Sequence, residues 1–117
     1  MKRRIAIPVN TDKLSEYFGH CNHYVVYETE NGNIISKTKN IPQVQKVEEL
    51  PGWASSQKLT DVITHRIDKK IIGLFSMHKI NIYVGIPIDS PSNLIKKYLE
   101  GKLKSDESII NDILENE

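Results

Sequence analysis

The densest group of reactive side chains is His20-Cys21-Asn22-His23, two imidazoles and a thiol within four residues. Imidazole and thiolate are ligands of borderline and soft metals, so this run could share one metal ion or hold one side of a cluster. A plainer reading fits the same residues: Cys21 packs as a small hydrophobe while His20 and His23 rest on the surface. A dependable metal signature needs two spaced ligand pairs, and this is a single compact run. Spacing alone leaves both readings open.

Thr64-His65-Arg66 is a second locus, where the apolar run after Asp61 gives way to a helical repeat. Ligands of open α/β sheets gather beyond the carboxyl ends of strands, where helix N-termini present free amides to anions. His65 and Arg66 would offer a ligand atom and a permanent positive charge there; the alternative is the solvated start of a helix. His78 falls on the apolar side of that helix and reads as a core or edge histidine.

Residues for catalysis are sparse. A cysteine–histidine nucleophile also needs an orienting group and an oxyanion cradle. Metal-dependent nuclease chemistry needs carboxylates on central strands, yet residues 5–9 carry none, and only Glu28 and Asp61 remain as candidates. Neither phosphate-binding glycine motif, Gly-x-x-x-x-Gly-Lys-Ser/Thr or Gly-x-Gly-x-x-Gly, occurs. The chain therefore reads as a binder and not as an enzyme.

The elements that position these residues follow from periodicity. Ile5-Ala6-Ile7-Pro8-Val9 reads as a strand, with Pro8 at its end or facing no donor site. Residues 10–22 read as a long loop with one helical turn near Leu14 to Phe18. His23 to Thr29 and Asn33 to Lys39 flank the turn signal Asn31-Gly32 and form a hairpin. A surface crossing with Pro42 and Pro51 leads to a short helix near Trp53 that turns Trp53, Ala54 and Leu59 inward.

Asp61-Val62-Ile63-Thr64 is a buried strand, and Ile67, Ile71, Leu74 and Phe75 recur at helical spacing after it. Asn81 to Val84 is another strand. Ser90 and Pro91 open, and Gly101 closes, the clearest helix. Past Ser105, Ile109, Ile110, Ile113 and Leu114 form one stripe of an amphipathic helix. Leaving four such side chains in water forgoes roughly 1.5 to 3 kcal/mol each, so the stripe should be covered, by the domain or by a second subunit in a homodimer. The order predicts one mixed sheet of five strands, starting at Ile5, His23, Asn33, Asp61 and Asn81, with helices on its faces.

A length of 117 residues suits one domain, with 38% hydrophobic and 26% charged residues. Sixteen Lys and Arg against fifteen Asp and Glu leave a net charge of +1, which favours neither nucleic acid nor an anionic membrane. Residues 5–9 are too short an apolar run for a signal-peptide core or a membrane span, so a cytoplasmic protein is expected. A single cysteine forms no internal disulfide and persists as a thiol or a metal ligand.

Four segments together resemble the dinitrogenase iron-molybdenum cofactor biosynthesis family. They are residues 5–10, Ser15-Glu16-Tyr17-Phe18-Gly19-His20-Cys21, residues 61–64, and Ile80-Asn81-Ile82-Tyr83-Val84-Gly85. The resemblance implies a ribonuclease H-like three-layer α/β fold over residues 1–103, with 104–117 as a helical extension. It also implies a non-catalytic carrier of an iron-sulfur or iron-molybdenum cluster precursor in nitrogen-fixation chemistry, with cluster-assembly or acceptor proteins as partners.

Cys21 is then the thiolate and His20, His23 and His65 are companion metal ligands, while Arg66 joins Cys21, His20 and His65 around the cofactor. The chain departs from family members that carry a histidine at Tyr17 and Gly-Gly at His65-Arg66. Either its ligands have been exchanged, or it is a protein-interaction or regulatory module that has lost the cluster. The carrier reading requires the loop before the second strand to converge with the end of the Asp61 strand, with Cys21 and His65 meeting across a crevice.

Overall fold

The computed structural model describes residues 2–115. Strand β1 (Lys2–Asn10) is buried without a break from Ile5 to Val9, the pattern of a strand covered on both faces. β2 (Lys13–Leu14) folds back against its end, β3 (His23–Glu30) runs antiparallel to it, and β4 (Asn33–Asn40) runs antiparallel to β3. β5 (Asp61–Ile63) pairs parallel with β1, and β6 (Asn81–Tyr83) pairs parallel with β5. The sheet order is β4-β3-β1-β5-β6, so the five expected strands share one sheet and β2 adds a sixth.

The Asn31-Gly32 turn has positive φ at both residues, 52° and 82°, as a tight hairpin of matching twist requires. Pro8 lies where its missing amide costs nothing. Its carbonyl points away from β3 and accepts from Ser15 N–H at 2.8 Å, and the β5 pairing ends at Ala6, short of the proline.

Four helices complete the described chain: α1 (Leu50–Ser56), α2 (Lys69–Met77), α3 (Pro91–Leu99) and α4 (Glu107–Glu115). Ala6, Tyr24, Val26 and Val62 meet α1, α2 and α4 through Ala54, Phe75 and Ile113. On the other face Ile5, Ile7, Val25 and Ile63 meet α3 through Leu94 and Ile95. The result is a three-layer α/β arrangement. No helix among the described residues is long and apolar enough to cross a membrane.

Several local expectations need correction. Residues 14–18 form no helical turn, because their backbone is drawn into β2 and into a bridge to residue 66. Helix α1 starts at Leu50, since Pro51 is tolerated within a first turn; Ala54 and Leu59 are buried, but Trp53 only partly. α2 starts at Lys69 and not at Ile67: Asp68 caps it by accepting from Lys70 N–H at 3.0 Å. His78 is the residue where α2 ends, and there it is exposed instead of packed. Ile109 and Ile110 are partly buried and Ile113 is buried, whereas Leu114 is 45% exposed. The domain itself supplies the cover for the buried part of that stripe.

Candidate functional site

The loop from residue 15 to 18 converges with the end of β5 through backbone bonds. Arg66 N–H donates to Glu16 O at 3.0 Å and Phe18 N–H donates to Arg66 O at 2.8 Å, a parallel bridge that sets Tyr17 beside Arg66. The buried Ser15 hydroxyl donates to Tyr17 O at 2.9 Å and stiffens the approach.

A crevice of about 570 Å³ opens at this junction. Its floor is apolar, from Phe18, Ile67 and Ile71, and its rim carries Tyr17, His20, Arg66 and Lys70 together with Glu48, Asp68 and Asp112. The Tyr17 and His20 rings lie 6.0 Å apart, and both side chains reach solvent. Two of the three carboxylates have structural partners. Asp68 caps α2, and Asp112 pairs with Arg66, Oδ2 to Nη1, at 3.0 Å. That hydrogen bond is the main reason the Arg66 pKa is raised, so the guanidinium stays charged at any working pH.

The expected ligands divide among three places. His20 and Arg66 share the large crevice. Cys21 and His23 line a smaller one of about 190 Å³ beneath the loop of Ile41, Pro42 and Val44. Val47 belongs to both, and its contact with Gly19, where a Cβ would meet Val47 Cγ2 at 2.9 Å, marks the wall between them. His65 lines neither crevice, because its Nδ1 lies 2.9 Å from Ile86 O.

The expected meeting of Cys21 with His65 is thus replaced by that of Tyr17 with Arg66. Successive residues of an extended chain point to opposite sides, and at this junction the crevice side falls to residue 66. Among the described residues, no group of three or more His, Cys, Asp or Glu side chains stands ready to hold a metal ion.

Cys21 is half-buried, and desolvation pushes its pKa up, only partly offset by the Tyr24 hydroxyl. That hydroxyl is itself buried without a hydrogen bond of standard geometry, so its contact with the thiol is loose. Cys21 is therefore a neutral thiol at neutral pH, and a metal must displace its proton to use it. Burial, and secondly Lys39, lower the His23 pKa, which favours the neutral imidazole that metals bind. Sequence reasoning missed Lys70 and Asp112. The Asp68 cap places Lys70 in the first turn of α2 and was legible, whereas Asp112 reaches the crevice only through the packing of α4.

The family model for dinitrogenase iron-molybdenum cofactor proteins matches residues 1–101. The chain belongs to this family. An uncharacterized Methanocaldococcus jannaschii protein, MJ0580, is 29% identical over 108 residues, spanning 86% of this chain and 89% of its own. The crystal structure of PH0822 superposes with a TM-score of 0.79 at 26% identity, covering 88% of this chain and 94% of that one. The Methanocaldococcus jannaschii protein MJ0327 superposes with a TM-score of 0.74 at 21% identity, over 91% and 96% of the two chains, and speaks to the fold alone. Membership associates the chain with iron-molybdenum cofactor biosynthesis or related processes.

Proposed function

We propose that the protein is a non-catalytic cytoplasmic carrier that holds an anionic iron-sulfur or iron-molybdenum cluster precursor in the His20–Arg66 crevice. The observation that carries this reading is the bridge from Tyr17 to Arg66, which gathers an imidazole, a guanidinium and the Lys70 ammonium over an apolar floor. Metal-sulfur clusters are bulky anions with polarizable faces. A floor of Phe18, Ile67 and Ile71 excludes water beneath such a body, while Arg66 and Lys70 meet its charge and His20 offers a nitrogen to iron. Cys21, one residue beyond His20 and behind the Val47 wall, is the thiolate for a cluster seated deeper. His65 has no part in this arrangement.

The five strands other than β2, taken in chain order, lie as 3-2-1-4-5 with the second antiparallel, which supports classing the fold as ribonuclease H-like. Partners would be the assembly proteins that load the crevice and the acceptors that empty it. A partner-binding module without a cluster is the second reading. It is favoured by β4, a sheet edge of eight residues whose Ile34 and Ile35 are 47% and 49% exposed.

The test is anaerobic gel filtration with a thiolate-capped four-iron, four-sulfur dianion. The carrier should elute with the iron-sulfur absorption band, and Arg66→Ala should weaken retention by about tenfold or more, the worth of a charge-assisted hydrogen bond. His20→Ala and Cys21→Ala should alter the band if either atom meets iron. Cluster eluting free of the wild-type protein sinks the carrier and leaves the module.

A further inference from the structure

The crevice is walled on one side by a helix that the family model does not include. The match ends at residue 101, and α4 spans Glu107–Glu115. The root of α4 is fixed: Val84 N–H donates to the Ser105 hydroxyl at 3.0 Å, and Asp106 N–H donates to Val84 O at 2.8 Å. Gly85 presses against this root so closely that a Cβ there would meet Asp106 Cβ at 2.6 Å.

Beyond the root, α4 rests on Ile113, with Ile109 and Ile110 partly buried against the cluster that includes Phe18, Ile67 and Ile71. Asp112, one residue before Ile113, pairs with Arg66 at 3.0 Å between side chains that are 51% and 32% exposed respectively. A pair this exposed is weak and readily exchanged. The helix carries Glu107, Asp112 and Glu115 and no basic residue, so it brings only negative charge toward the crevice cations.

We infer that α4 is a strap that holds the Asp112 carboxylate in the crevice as a stand-in anion, and that an anionic cargo enters by displacing it from Arg66. The inference rests on the carrier reading above and adds its regulation. A carboxylate seated on the guanidinium offsets its charge and fills space beside it, so carboxylate and cargo each weaken the other's hold. The fixed root keeps α4 close while its body shifts. Release runs in reverse: Asp112 returns to Arg66 as the cargo leaves, so an acceptor works against a lowered affinity. The cost of the device is weaker loading.

The test uses the full-length chain and the same thiolate-capped four-iron dianion under anaerobic conditions. Asp112→Asn keeps the size of the side chain and removes its charge, and it should bind the cluster about two- to fivefold more tightly than the wild type, the scale of an exposed ion pair. Asp112→Glu, which keeps the charge, should bind as the wild type does, and this separates charge from helix packing. Amide hydrogen exchange across residues 107–115 of the wild type should rise as cluster is added. Equal or weaker binding by Asp112→Asn, with the wild type still binding, overturns the strap and leaves the carrier standing. No rise in exchange on loading overturns it as well. If neither protein binds cluster, the carrier reading falls and the strap falls with it.

Discussion

The short strand β5 leads to a charged group at each end, and the two are treated in opposite ways. At its start Asp61 is fully buried, held by Arg3 at 2.9 and 3.1 Å, by the Tyr98 hydroxyl at 3.0 Å, by the Thr60 hydroxyl at 2.7 Å and by Asn81 at 3.2 Å. Beyond its other end Arg66 meets solvent and pairs with an exposed carboxylate. A buried charge must be saturated with partners, and a saturated group has little left for a ligand. An exposed pair is stable enough to persist and weak enough to exchange. The contrast makes Asp61 a clamp of the fold and leaves Arg66 in an exchangeable pair.

The largest expected effect breaks the clamp. Asp61→Ala leaves Arg3, Tyr98 and Asn81 facing a void and should lower unfolding free energy by about 3 to 5 kcal/mol in chemical denaturation. A loss under about 1 kcal/mol would place Asp61 with the surface pairs and erase the contrast. Next is the anchor between the two regions. Gly85 has φ +79°, and a Cβ would collide with Asp106, so Gly85→Ala should cost roughly 1 to 3 kcal/mol and loosen α4 in hydrogen exchange.

Arg66→Ala should leave the melting temperature close to that of the wild type while weakening cluster retention, and a thermal melt beside the gel-filtration assay reads both. A large stability loss there would mean that Arg66, too, is structural.

The smallest effect concerns Cys21. Its raised pKa leaves less thiolate near neutrality, so iodoacetamide should label it several-fold more slowly than a free cysteine, and the rate should still be climbing above pH 9. The linkage has the matching sign. A folded-state pKa above the ordinary value of 9.0 contributes stability that is complete below that pH and is lost as the pH rises through the folded value. Labelling as fast as that of a free thiol at pH 7 would remove Cys21 from the interior.

Much of the fold was legible because its signals are local. The starts of β3, β4, β5 and β6 fall where residue pattern places them, and the Ser90, Pro91 and Gly101 punctuation frames α3. Two-residue β2 was not legible, since Lys13-Leu14 has no pattern of its own and exists only as a partner for the end of β1. At the site, the sequence set Cys21 opposite His65 across a crevice, whereas the residues that share one crevice are His20 and Arg66.

The sequence by itself determined the five expected strands and the frame of α3, because strand alternation, turn residues and caps act within a few positions. The family and the convergence of residues 15–23 with residues 64–66 came from the resemblance of four segments and not from local pattern. Tertiary structure alone decided which side of that convergence each residue faces. A parallel bridge sets Arg66 in the crevice, and the Ile86 carbonyl holds His65 outside it. It also decided that an acidic helix from the end of the chain would lie beside Arg66. Both outcomes depend on hydrogen bonds and apolar contacts between segments 20 or more residues apart in sequence, and no local periodicity records them.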